Sequence, residues 1–229
     1  MRFALALGLL LGLANQAGAQ QTTDELTAAC NQSGGQPCLR LARLYAEGAG
    51  VRQDPRRADG LAVHACDTGV PEACTQLGRW LLQGLILSVD EHRALDLFRR
   101  ACEAGDGNGC DEASMAYERG TGVVPNLSTS IALGVRACEQ GTPRACLRLG
   151  DRYERGLDIA PNDSRAAVLY RTGCDQKEAN SCVRLARMYE DGRGVGRDIS
   201  RAIALYRRAC EVGNSLACQL AVLREEGLM

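Results

Sequence analysis

The sequence predicts an all-α protein, a right-handed α/α solenoid of about five to six repeats of 36 residues each. Three observations support this fold class. Two cysteine series recur every 36 residues without an insertion, leucines and small residues recur with the same period, and aromatic residues make up only 4% of the 229 residues. A fixed period of this length is typical of solenoids, because one helix pair cannot bury its apolar face without neighbours. A core with few large rings suits helices that pack closely.

The N-terminal segment 1–19 predicts a cleaved signal peptide. An unbroken apolar stretch follows a positively charged start, and the small residues Ala17 and Ala19 predict cleavage before Gln20. The apolar stretch is shorter than the roughly 20 residues that span a membrane. We therefore expect residues 20–229 to form one solenoid domain without stable membrane insertion, either periplasmic or secreted.

Each repeat unit begins at the first cysteine of a cysteine pair and ends just before the first cysteine of the next pair. The predicted units span residues 30–65, 66–101, 102–137, 138–173 and 174–209, with 210–229 as a C-terminal cap.

The sequence pattern of each unit predicts two helices, and the fourth unit illustrates it. Thr142 is expected to cap a first helix that starts with Pro143 and ends at Gly156. Asn162 is expected to cap the second helix by accepting backbone N–H hydrogen bonds. The equivalent capping positions of the other units are Asp54, Asp90, Asn126 and Asp198. A column of small residues, which lets neighbouring helices approach closely, comprises Ala42, Gly78, Ser114, Gly150 and Ala186.

The two cysteines of each unit lie eight positions apart, on either side of a helix–helix corner. Cys102 is expected in the last turn of one helix and Cys110 in the first turn of the next, with Gly105 in a left-handed conformation between them. This arrangement brings the sulfur atoms within disulfide range, whereas the spacing does not suit zinc. The expected disulfides are Cys30–Cys38, Cys66–Cys74, Cys102–Cys110, Cys138–Cys146, Cys174–Cys182 and Cys210–Cys218.

The segment 185–210, LARMYEDGRGVGRDISRAIALYRRAC, resembles the Sel-one-like repeat, and ACEVGNSLAC resembles its cysteine-rich secreted branch known from Helicobacter. The resemblance extends over roughly residues 24–227. Two positions depart from the pattern: the second unit loses a loop glycine, and Lys177 replaces the corner glycine of the fifth. The resemblance implies an extracytoplasmic solenoid that binds other molecules. It also implies a weak penicillin-binding or β-lactamase-like activity, which is described for some members.

The residues themselves give little support for a catalytic activity. A serine β-lactamase needs a Ser-x-x-Lys pair, but Lys177 is the only lysine, and Cys174 stands three residues before it. The only histidines, His64 and His92, belong to different units. We therefore expect no catalytic residue, no metal and no cofactor.

A row of arginines on the first helices is the candidate binding face, with Trp80 beside it. Its residues are Arg40, Arg43, Arg79, Arg148, Arg184 and Arg187. Such a row can bind carboxylates bidentately, as in a peptide C-terminus or a cell-wall fragment. The alternative is a solvated face in which these arginines pair with Glu47, Asp151 and Asp191, while Trp80 belongs to the packing.

These observations predict a monomeric extracytoplasmic scaffold that binds a protein or peptide partner through its concave face. A net charge of −1 and a pI near 6.2 provide no electrostatic reason for nucleic-acid binding. Three alternatives remain at this point: a weak penicillin-binding hydrolase, an envelope or respiratory-complex assembly factor, and a relative from the mitochondrial intermembrane space.

Overall fold

A computed structural model describes residues 23–227, and the expected signal peptide and its cleavage site lie outside them. Within this range the regular structure consists of twelve α-helices without a strand. The described chain forms two compact units: unit 1 comprises residues 23–104 and 121–123, and unit 2 comprises residues 105–120 and 124–227. None of the helices between residues 23 and 227 is long and apolar enough to cross a membrane.

Unit 1 contains the first five helices, and each of α2–α4 packs against the helix that follows it. Their bounds are 23–33 (α1), Gly35–Glu47 (α2), Pro55–Asp67 (α3), Pro71–Gln83 (α4) and Glu91–Glu103 (α5).

Unit 2 contains the other seven helices, again with sequential neighbours in contact. Their bounds are Gly107–Arg119 (α6), Leu127–Glu139 (α7), Pro143–Arg155 (α8), Asp163–Asp175 (α9), Ala179–Asp191 (α10), Ile199–Glu211 (α11) and Ser215–Glu225 (α12). The even-numbered helices are the first helices of the repeats and the odd-numbered ones are the second helices. The predicted helix pair per repeat is thus confirmed in both units.

Local sequence signals define the helix ends. The predicted Asp and Asn caps all accept a hydrogen bond from the backbone N–H three residues later; for example, Arg165 N–H donates to Asn162 Oδ1 over 2.9 Å. The glycines that end the first helices are left-handed, with φ of 67° at Gly156. One cap prediction is wrong in part: Thr142 occupies the N-cap position of α8, but its side chain makes no capping hydrogen bond.

Disulfides close the helix–helix corners as predicted. In the five pairs 30–38, 66–74, 138–146, 174–182 and 210–218, the Cα atoms lie 4.6–4.9 Å apart. Cys102 and Cys110 are likewise disulfide-bonded. Each bridge closes a short loop and, by chain-entropy arithmetic, contributes about 2–3 kcal/mol to stability.

The corner that lacks glycine keeps the same backbone conformation. Gly69, Gly105, Gly141 and Gly213 have φ of 84–97°, and Lys177 at the equivalent position has φ of 65°. A left-handed residue with a Cβ costs about 1–2 kcal/mol, so the chain tolerates strain here rather than rearranging the corner.

Two of the small residues predicted on the first helices, Gly78 and Gly150, face aromatic rings on the second helices. A Cβ atom added at Gly150 would lie 2.5 Å from Tyr170 Cε1, and one added at Gly78 would lie 2.5 Å from Phe98 Cε1. Both rings are fully buried. At these two positions the ring therefore occupies the volume that a first-helix side chain would need.

We expect Gly150→Ala to lower the free energy of unfolding by about 1–3 kcal/mol, because the new methyl group overpacks against Tyr170. Gly60→Ala in α3 is the matched control, since nothing lies within 4 Å of the added Cβ. That substitution should raise stability by about 0.5–1 kcal/mol through helix propensity. Urea unfolding of both variants checks the expectation, and stabilisation by both would contradict it.

Candidate functional site

Three first helices of unit 2, α6, α8 and α10, form a polar surface that we call the first-helix face. Along α8, residues at steps of three and four share one side of the helix. They are Arg144, Leu147, Arg148, Asp151, Arg152 and Arg155. Several of these side chains reach residues of the neighbouring repeats, so this face is built across repeats rather than within one.

Ion pairs connect α6 to α8. Arg148 Nη1 lies 3.1 Å from Glu118 Oε2, and the other terminal nitrogen of Arg148 contacts Asp111 and Ser114 Oγ. Arg152 also pairs with Glu118. Two guanidinium groups of α8 therefore share one carboxylate of α6.

The ion pairs continue from α8 to α10. Arg184 Nε lies 3.2 Å from Asp151 Oδ1. Arg193, in the loop after α10, pairs with Glu154 of α8 and lies 3.8 Å from Asp163 at the start of α9. The charges of three successive repeats are thus fixed relative to one another.

A buried tyrosine lies beneath these charges. The Tyr170 hydroxyl is 2.7 Å from Asp151 Oδ1 and 2.7 Å from Glu154 Oε2. Burial and the two carboxylates raise the pKa of Tyr170, so the hydroxyl stays protonated and acts as a donor. Burial opposes the ionisation of Glu154, but hydrogen bonds from Tyr170 and Arg193 outweigh it and lower the Glu154 pKa.

The next repeat contains a similar arrangement. The Tyr206 hydroxyl lies 2.9 Å from Glu190 Oε2, and Arg224 pairs with the same carboxylate. Burial and Glu190 raise the pKa of Tyr206. The sequence analysis missed these clusters, although the 36-residue spacing of Glu154 and Glu190, and of Tyr170 and Tyr206, was a visible signal.

In unit 1, the predicted binding residues lie in different surroundings. Arg40 is exposed, and Arg43 Nη2 lies 2.8 Å from Glu72 Oε1, which lowers the Glu72 pKa. Arg79 is half-buried. Trp80 is only 3% exposed and lies in the core, so the packing alternative holds for this residue.

In unit 2, the predicted arginines divide into two kinds. Arg148 and Arg184 are engaged in the ion pairs described above, whereas Arg187 is exposed. The pairing of Arg184 with Asp151 matches the solvated-face alternative, while Asp191 contacts Arg193. Cys174, which precedes Lys177 at the Ser-x-x-Lys spacing, is bonded to Cys182.

The comparisons with known proteins agree on one repeat type. The sequence pattern of the Sel1 repeat matches residues 38–58, 71–106, 110–142, 143–178 and 179–214. No curated protein matches this chain.

Several solved protein structures are also similar to this chain. One is c5321 of uropathogenic Escherichia coli, described as a protective antigen with an SLR fold: 32% identity over 90% of this chain and 44% of that one, with a TM-score of 0.77. A Sel1 repeat protein from Oxalobacter formigenes is 25% identical over 86% of this chain and 57% of that one, with a TM-score of 0.75. Cysteine rich protein B of Helicobacter pylori is 25% identical over 58% of this chain and 95% of that one, with a TM-score of 0.46. This chain spans about half the length of the first two proteins.

We expect Glu154→Gln to lower the free energy of unfolding by about 1–3 kcal/mol at pH 7, because Tyr170 and Arg193 lose a charged acceptor. The folded-state pKa of Glu154 is lowered, so its contribution is present above the unfolded-state pKa of about 4.3 and disappears as the pH falls through the folded value. The difference between wild type and variant should therefore shrink below about pH 4. Urea unfolding from pH 3 to 7 measures it, with the exposed Glu47→Gln as control. A difference that is constant over this range would contradict the assignment.

Proposed function

The chain belongs to the Sel1 repeat family, and we propose that it is an extracytoplasmic scaffold that binds protein or peptide partners through the first helices of its repeats. Sel1 repeats are protein-interaction modules, and the resemblance in the sequence implied a solenoid that binds other molecules. Repeat proteins of this kind present an extended surface made of successive units.

The first-helix face of unit 2 is the observation that carries this proposal. Its charged side chains are already held by ion pairs and by Tyr170 before any partner binds. A side chain that is ordered in the free protein loses less conformational entropy on binding. A surface of fixed charges spanning several repeats suits recognition of an extended protein segment.

The disulfides support the extracytoplasmic part of the proposal. No cysteine among the described residues is free. Disulfides persist in oxidising compartments and are rare where thiols are kept reduced. The segment 1–19, outside the described residues, has the charge and apolar pattern of an export signal. The periplasm and the extracellular medium both satisfy these requirements.

Site-specific photo-cross-linking in cells tests the binding surface. We expect p-benzoylphenylalanine at positions 40 and 187, on first helices, to capture discrete protein partners. The same group at positions 99 and 168, on α5 and α9, is the matched control, since all four positions are exposed. Cross-links of equal yield at both sets, or at the second helices alone, would contradict the proposed surface.

Mass spectrometry of the mature protein tests export. We expect a chain that begins at Gln20 and shows no alkylation by iodoacetamide under denaturing, non-reducing conditions. A variant that lacks residues 2–19 is the control and should retain up to twelve reactive thiols in the cytoplasm. An intact N-terminus together with free thiols in the wild-type protein would overturn the extracytoplasmic placement.

A further inference from the structure

A depression of about 320 Å³ lies on the first-helix face, between α8 and the C-terminal end of α6. Its basic and apolar lining consists of Arg144, Leu147, Arg148, Arg152, Arg155 and Leu157, and Glu118 and Asp151 complete it. Four guanidinium groups and two carboxylates line the depression, and Asp111 beside it also pairs with Arg148. Positive charges remain in excess here, in a protein whose net charge is −1.

The two carboxylates are already occupied. Glu118 binds Arg148 and Arg152, and Asp151 binds Arg184 and the Tyr170 hydroxyl. Arg144 and Arg155 are the first and last of the α8 residues on the first-helix face. Both are exposed, and neither has a hydrogen-bond or ion-pair partner within residues 23–227. Their positive charge is available to a ligand.

Arg152, in the lining of the same depression, has a donor without an acceptor. Its side chain is only 9% exposed, and one terminal nitrogen pairs with Glu118. The other, Nη1, is buried without any hydrogen-bond partner. A buried donor without an acceptor is costly, and an anionic acceptor from a ligand would remove that cost.

We propose that this depression binds a carboxylate group of an acidic segment in the protein partner, so the inference rests on the scaffold function proposed above. Arg155 and Arg152, one turn apart on α8, bind the carboxylate once the side chains that cover Arg152 Nη1 move aside. Arg144 lies eleven residues before Arg155, about 16 Å along the helix, and contacts another part of the segment. Guanidinium groups match carboxylates in charge and in hydrogen-bond geometry. Leu147 and Leu157 offer apolar contacts next to the charge.

The composition of the chain favours a peptide over a polyanion. A net charge of −1 gives the protein no long-range attraction for a long polyanion, whereas a local excess of arginine accepts one or two carboxylates. The carboxylate belongs either to a Glu or Asp side chain or to a C-terminus, because both present the same two oxygens.

Fluorescence polarisation with three labelled pentapeptides distinguishes these sources. The first alternates Leu and Glu and has an amidated C-terminus, the second alternates Leu and Gln with a free C-terminus, and the third is the Leu–Gln peptide with an amidated C-terminus. We expect at least one of the first two to bind at submillimolar concentration and the third not to bind. Equal binding of all three, or no binding of either carboxylate peptide up to 1 mM, would overturn the inference.

Charge-matched variants locate the site. Arg144→Gln/Arg155→Gln should weaken binding of the carboxylate peptide by about 10-fold, an effect that increases at low salt. Arg56→Gln/Arg99→Gln, at exposed positions on α3 and α5, removes the same charge elsewhere and should leave affinity unchanged. In a protein with ¹⁵N-labelled arginine, the Nε–H resonance of Arg152 should shift on peptide addition. Equal weakening by both double variants, or an unmoved Arg152 resonance, would exclude this depression as the site.

The two proposals fail in different ways. If position 187 still captures partners and the Arg144→Gln/Arg155→Gln change leaves both that capture and peptide binding unchanged, the carboxylate site is wrong and the scaffold function stands. If positions 40 and 187 capture nothing while the carboxylate peptide binds the wild-type protein and loses affinity in the Arg144→Gln/Arg155→Gln variant, the carboxylate site stands and the partner-binding role proposed for the row of first helices is wrong instead.

Discussion

The close approach of the two helices within a repeat is the constraint on which the rest of the structure depends. In the fourth repeat, Gly150 leaves room for the Tyr170 ring on the facing helix. With the ring packed there, the Tyr170 hydroxyl reaches Asp151 and Glu154 and donates to them. Asp151 directly follows Gly150 in the chain. Because these carboxylates are held from below, they meet the arginines of the next repeat at fixed positions. The packing of one small residue against one ring thus orders the charged surface above it.

The sequence predicts the fold well because its signals are local and repeated. Capping residues such as Asn162, terminal glycines such as Gly156 and cysteines eight residues apart each act within a few residues, so a helix end or a corner can be inferred without knowing the whole structure. The periodic match then identifies the repeat type. Thr142 shows the limit of this reasoning: it occupies a cap position without making the capping hydrogen bond, since side-chain orientation also depends on its packed surroundings.

The candidate site was less predictable, for a physical reason. Arg148 and Asp111 are 37 residues apart, and whether they pair depends on the rotamers of long side chains and on the stacking of neighbouring repeats. A row of arginines in the sequence therefore does not show which of them are engaged. Trp80 shows the same problem, because a first-helix position next to an exposed stripe can also face the core. Only the structure separates Arg148, which is paired, from Arg144 and Arg155, which are not.

The disulfides also determine how the chain responds to tension. The bridges 30–38, 66–74, 138–146, 174–182 and 210–218 each join cysteines that are eight residues apart in sequence and whose Cα atoms lie less than 5 Å apart. An extended chain gains about 3.3–3.6 Å per residue, so each intact bridge withholds roughly 20 Å of contour length when the repeats are pulled apart. Helix pairs can separate and unwind while every corner remains a short loop closed by its disulfide. The stretched protein therefore keeps a series of preformed corners from which its helices can re-form.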